Sequence, residues 1–274
     1  MRARQLIRSS ILTAGMALVA LAAPQTARSA IIDFEFASGA TSPACVAGSQ
    51  CNVVSGTITT RQFTSTTLGF ADYRVTAKAW SFTGNGGTTA ADGFLGRYSG
   101  GLGVTNDLES GGSNSHTLDN VNQIDFITFF FDKTSGDPAE ILGPIDVTMT
   151  GFGSTPQWDA DITVWFGEVA SIADLDFAGD GLSALDALAQ FGTPINIDDT
   201  DNSSQTSVVT FGDGTWTGNF LIIAASLGDG SPDDKIKIKS LAVDPQVQVP
   251  EPATMALFGL GLAGLAFLRR RRVR

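Results

Sequence analysis

The amino-acid sequence predicts an all-β protein: an antiparallel β-sandwich or jelly roll with a short inserted helix, flanked by an N-terminal signal peptide and a C-terminal transmembrane helix. Three observations carry the prediction. Glycine is frequent at 31 of 274 residues and charged residues make up only 16%, a mix that suits short strands joined by turns better than helices. Apolar residues reach 43%, enough for a true core and too much for wholesale disorder. Short apolar runs recur with period-two alternation, separated by turn clusters such as Gly84-Asn85-Gly86-Gly87 and Gly228-Asp229-Gly230-Ser231-Pro232.

The elements follow in order. Arg2, Arg4 and Arg8 precede a short apolar stretch over 11–22, and Ala27-Arg28-Ser29 ends it. That is the pattern of a secretory signal peptide over 1–29, so the Sec translocon and signal peptidase are expected partners. The apolar stretch is too short for a comfortable membrane anchor. In Ile32, Phe34 and Phe36 the apolar residues alternate with Asp33 and Glu35, a half-buried strand opening the mature chain. Cys45 and Cys51 enclose five residues, and in an exported chain a disulfide is the default reading of such a pair, with free thiols or a metal as alternatives.

Further strands are expected over 53–60, 73–82, 123–131, 145–150, 161–166, 207–211, 215–224 and 235–243. In 123–131 both faces are apolar, Ile124, Phe126 and Phe130 on one and Ile127, Phe129 and Phe131 on the other. Such a strand is central and covered on both sides. Leu182, Leu185, Leu188 and Ala189 fall near helical spacing and predict a short helix over 182–191. Residues 30–246 form the β-sandwich body, followed by a tail over 247–274.

Charge narrows the partners. Nine of the 17 basic residues lie in the two ends, leaving eight against 27 acidic residues over 30–249, a net charge of −19. Such a body is repelled by nucleic acid, which is bound through Lys and Arg. No cofactor is expected, and Ca²⁺ is the cation an acidic body would attract. The run Asp174-Leu175-Asp176-Phe177-Ala178-Gly179-Asp180-Gly181 resembles a calcium loop, but Ala178 stands where an oxygen ligand is required. An acidic loop capping the inserted helix is the better reading of Asp174, Asp176 and Asp180.

Catalytic constellations are sparse. His116 is the single histidine and no G-x-S-x-G elbow frames a nucleophile. A zinc site would need more His and Cys than the chain carries. A pair of catalytic carboxylates leaves no spacing signature, so the residues alone do not test that chemistry. Trp80, Trp158, Trp165 and Trp216 lie in or beside strand runs, where core or sheet-face packing is the expectation. Asp159 and Asp161, between Trp158 and Trp165, mark the best place for a polar site on that side.

The end of the chain carries a resemblance. Pro250-Glu251-Pro252 precedes an unbroken apolar segment over 253–268, and Arg269, Arg270, Arg271 and Arg272 close it. This closely resembles a PEP-CTERM sorting tail. The resemblance implies export by a Gram-negative bacterium and cleavage near Pro250, Glu251 and Pro252 by an inner-membrane exosortase. Sixteen apolar residues as a helix reach about 24 Å, slightly short of a bilayer core, with the arginines held on the cytoplasmic side as a basic stop.

A middle block is similar to a family of exosortase-dependent surface proteins. It comprises Gly101-Leu102-Gly103-Val104-Thr105-Asn106, Ser115-His116-Thr117-Leu118-Asp119-Asn120, Asp125-Phe126 with 129–131, and Trp158-Asp159-Ala160-Asp161. In residue terms, Asn106, His116, Asp119 and Asn120 are expected to form a polar knot fixing the loop before the central strand. The resemblances imply a non-enzymatic, exported surface or extracellular-matrix protein associated with exopolysaccharide or biofilm. It would be anchored transiently in the inner membrane, with its body in the periplasm, before reaching the cell surface or matrix. The alternatives are a jelly-roll carbohydrate-binding module using Trp158, Asp159, Asp161 and Trp165, and a calcium-dependent adhesin.

Overall fold

Fifteen strands are present among the described residues of the computed structural model, which are 31–37, 60–83, 89–98, 100–106, 109, 116–121, 123–152, 160–177, 188–198, 206–212, 216–227 and 234–245. In chain order the first are β1 (Ile32–Glu35), β2 (Thr60–Thr64), β3 (Tyr73–Thr83), β4 (Thr89–Asp92) and β5 (Phe94–Tyr98). Next come β6 (Gly101–Thr105), β7 (Leu118–Asp119), β8 (Ile124–Lys133), β9 (Ile141–Gly151) and β10 (Ile162–Gly167). The last are β11 (Ile195–Ile197), β12 (Thr206–Phe211), β13 (Thr217–Gly218), β14 (Phe220–Ala225) and β15 (Lys235–Pro245). The signal peptide, Cys45 and Cys51, most of the 53–60 run and the sorting tail lie outside the described residues. Among the described residues no helix is long and apolar enough to cross a membrane.

Two antiparallel sheets form the body. The first runs β12-β9-β15-β6-β5, with β1 and β7 also on β15 and β13 on β9. The second runs β11-β10-β14-β8-β3-β2, with β4 on β3. Their facing surfaces make the main core. Ile127, Phe129 and Phe131 of β8 and Leu221 and Ile223 of β14 meet Ile145, Val147 and Met149 of β9 and Ile236, Ile238, Leu241 and Val243 of β15. Ala77 and Ala79 stand opposite Phe129 and Ile127 in register, small residues making room beside large ones. This is sandwich packing of two inner faces.

The alternation in β15 slips between Ile238 and Leu241, and the register shows why. Ile238 pairs with Met149 and Ser240 with the adjacent Thr148, so Lys239 is an extra residue, a β-bulge. The bulge keeps Leu241 and Val243 on the core side after the slip. The carbonyl of Lys239 accepts the Phe36 N–H at 2.9 Å, which ties the end of β1 to the bulge.

The two-faced pattern of β8 has a structural counterpart. A second core lies on the outer face of the second sheet, where Phe126, Phe130, Trp80, Phe82, Trp165, Phe220 and Ile222 pack against Leu175, Phe177 and Leu188. Phe177 stands edge-on to both Trp80 and Phe126 at 5.2 and 5.3 Å. Thr128, the polar member of that face, accepts the Trp80 indole N–H at 3.3 Å.

Most of the inserted helix expected over 182–191 falls on residues 182–187, outside the described residues; Leu188 and Ala189 are helical and lead into a tight turn. Phe191 N–H bonds the Leu188 carbonyl at 3.0 Å and Gly192 N–H the Ala189 carbonyl at 3.1 Å. Gly192 then takes φ +97°, which ends helical winding at little cost only for glycine. The longest helical element among the described residues is the 3₁₀ turn Ile172–Leu175. Leu188 is buried in the second core.

Candidate functional site

At one end of the sandwich, where β15 begins, the inter-sheet space is filled by polar and charged side chains instead of apolar ones. Asp125 occupies the same face of β8 as Ile127 and Phe129 and is fully buried. Its carboxylate accepts the Asn106 amide at 3.2 Å. Ser81, opposite Asp125 in register, donates to the Gln123 side-chain carbonyl at 2.6 Å. Burial, and then the charges of Asp119 and Glu109, push the Asp125 carboxyl well above the usual carboxylate range.

Two further carboxylates act on it. The Glu109 carboxylate accepts two backbone N–H groups, from His116 at 3.0 Å and Asn106 at 3.2 Å. Burial raises its pKa to about 7 against those two bonds. Asp119, on β7, accepts the Thr117 hydroxyl at 3.0 Å and the Val121 N–H at 3.1 Å. Burial raises it to about 6, opposed by those bonds and by Lys235 across the strand pair. Asn120 donates to Asp234 at 2.6 Å and to the Ser226 carbonyl at 3.2 Å, which stitches the end of β7 to β14 and β15.

His116 sits in the left-handed region at φ +81°, where non-glycine residues are uncommon. Its ring stacks on Tyr98 with centroids 5.5 Å apart and 4° between planes. Its Nδ1 lies 2.5 Å from the Thr105 hydroxyl oxygen. Burial, with Lys237 nearby, lowers the imidazole to about 4, so the ring is neutral at pH 7. Burial raises the Tyr98 phenol to about 12. Lys237 places its ammonium 4.5 Å from the Tyr98 ring centroid and 4.1 Å from that of Phe152. Those aromatic faces offset part of its lost hydration, and burial lowers its pKa.

Two glycines permit this packing. A Cβ on Gly96 would collide with the Tyr98 ring, and one on Gly103 with the His116 carbonyl. Gly103→Ala is expected to cost about 1–3 kcal/mol through this overpacking. A thermal melt checks it, and an unchanged melting temperature would mean that the His116 segment does not lie against β6.

The structure thus brings together Asn106, His116, Asp119 and Asn120, four of the residues singled out from sequence. Asp161 is buried near one side of this region, its carbonyl accepting the Ser226 N–H at 3.1 Å. Trp158 and Asp159 lie outside the described residues. Trp165 is 2% exposed in the second core, so it offers no free face to a sugar. Asp174 accepts the Ser171 N–H at 2.8 Å, and Asp176 stands 3.5 Å from Lys78; Asp180 is outside the described residues. No group of three metal-ligating side chains occurs among the described residues.

Sequence reading passed over Tyr98, Glu109 and Lys237, and gave Thr105 no role of its own. Asp125 carried a signal of its own, a charge on a face otherwise made of Ile127, Phe129 and Phe131. Lys237 carried none that separates it from Lys235 and Lys239. Chemically, the carboxylates of the cluster accept hydrogen bonds from backbone N–H groups, an amide and a hydroxyl of the same chain.

Residues 248–272 match the PEP-CTERM protein-sorting motif. The motif implies export, transient membrane anchoring and processing by exosortase. No curated protein matches the chain. Among solved structures, it is similar to a rhamnosidase from Klebsiella oxytoca with rhamnose bound, at 11% identity over 62% of this chain and 29% of that one, with a TM-score of 0.29. A likeness of that size carries no argument about fold or activity.

Proposed function

We propose that the protein is an exported surface or extracellular-matrix component, released from the inner membrane by exosortase and associated with exopolysaccharide, and that its body works without catalysis or a cofactor. The sorting motif over 248–272 carries this reading. It begins three residues beyond Pro245, the last residue of β15, so a β-sandwich precedes it directly. The buried polar cluster supports the non-enzymatic part. Each of its carboxylates accepts hydrogen bonds from its own chain, a pattern that fixes loops. A carbohydrate-binding role would have to rest on residues other than Trp165, which is packed in a core.

Intact-mass analysis of the protein recovered from its native host tests the processing. The expected species begins near Ala30 and lacks the apolar segment and Arg269–Arg272. A mature species that retains 253–274 would overturn exosortase release and leave a permanent anchor instead.

A further inference from the structure

The two main strand orders end on β12, β5, β11 and β2, and these ends are not protected alike. β11 is three residues long, too short to template a partner. On β2, Arg61 reaches across and donates its Nε–H to the Leu95 carbonyl of β5 at 3.0 Å, so these two edges cover one another. Short strands, charges and covering contacts are the usual means of keeping an edge from pairing. β12 differs, being neither short nor charged. Its six residues, Thr206-Ser207-Val208-Val209-Thr210-Phe211, include no charge and no proline. They pair in unbroken register with β9 from Thr206↔Thr150 to Phe211↔Ile145, and the far side of β12 meets no strand among the described residues. Val208 is 61% exposed there, one of three large apolar side chains so exposed among the described residues.

We infer that β12 is a self-association edge, at which a second copy of this chain adds its own β12 antiparallel across a two-fold axis at Val208. A two-fold interface sets each residue against the same strand in reverse, so a charged edge would face its own charge. β12 avoids this. Centring the axis on Val208 also keeps the faces of the two sheets aligned, because residues paired about it are an even number apart. Val208 then meets Val208, Thr206 meets Thr210, and Ser207 meets Val209. β-branched and Thr–Thr cross-strand pairs are favourable, and strand addition at an open edge supplies main-chain hydrogen bonds. A single strand pair buries less than a standard interface of about 1,600 Å², so the dimer is weak and its population rises with concentration.

The test is oxidative crosslinking of the exported protein as recovered from its host. Val208→Cys is expected to give a dimer on a non-reducing gel, at several times the yield of Leu68→Cys, whose position is 98% exposed. The register is checked with Thr206→Cys and Thr210→Cys, which should crosslink when mixed and not separately. Equal yields from Val208→Cys and Leu68→Cys would overturn the proposal. Sedimentation gives an independent reading: at high concentration the wild-type chain should show a rising average mass that Val208→Lys abolishes. A Val208→Lys chain that is folded and associates as wild type does would also overturn it.

Discussion

Replacing Phe126 by alanine is expected to lower the unfolding free energy by about 3–5 kcal/mol, as much as replacing Phe129 on the opposite face of the same strand. Both side chains are fully buried. Phe129 lies between the sheets, stacked on Phe36 at 5.8 Å. Phe126 points away from the sandwich, stacked on Phe82 at 4.6 Å and met edge-on by Phe177. In a plain two-layer sandwich the outer face meets water, and truncation there changes stability by only about 0.5 kcal/mol. Equal losses in urea unfolding at the two positions therefore report a third packed layer, built from the 3₁₀ turn, Phe177 and Leu188. A large loss at Phe129 with a small one at Phe126 would mean that the layer does not hold.

The stability of the protein should fall as pH rises from about 5 to 8, through the polar cluster. Glu109, at about 7, and Asp119, at about 6, are raised above their ordinary values, mainly by burial, and Asp125 is raised with them. A carboxyl whose folded pKa is raised contributes its full stability below the unfolded value near 4. That contribution is lost as pH climbs through the folded value, because ionising in the fold is then harder than in the unfolded chain. For Glu109 alone the loss is on the order of 3 kcal/mol. His116 acts in the opposite sense: lowered to about 4, it contributes stability above its unfolded value near 6.5 and loses it as pH falls toward 4. The two limbs oppose each other between pH 4 and 6.5, where three carboxyls outweigh one imidazole, and the loss from Glu109 and Asp119 is complete by about pH 7. Lys235 and Lys237 on β15 lie close to Asp119 and Glu109, and their positive charges moderate the loss. Tyr98 on β5 stays neutral. Melting temperatures measured from pH 5 to 8 should drop toward the alkaline end, and Glu109→Gln should flatten the drop. A curve that rises steadily to pH 8 would show that the three carboxylates do not share one buried space.

Reading the sequence went furthest where one local rule decides. The alternation of Ile32, Phe34 and Phe36 became β1, and the two apolar faces of 123–131 became the doubly covered β8. Short strands were harder. Phe94–Tyr98 and Gly101–Thr105 hold three glycines, which hide an alternation that exists only once Tyr98 and His116 lie against the bare backbone of Gly96 and Gly103. In the 182–191 stretch apolar spacing reports which side chains are buried: Leu188 packs in the second core with Phe177 and Phe191.

By itself the sequence determined the all-β class, the position of the central strand and the sorting motif that names the export route. Each of these is written in contiguous residues, as periodicity or as an ordered motif. Only the tertiary structure decided that Asp125, Glu109, Asp119 and Lys237 share one end of the sandwich. Their pKa values follow from mutual distance and exclusion of water, and those arise when β5, β6, β7, β8 and β15 come together. The same holds for β12. Its six residues read as any β-strand, and its open edge is a property of its place in the sheet.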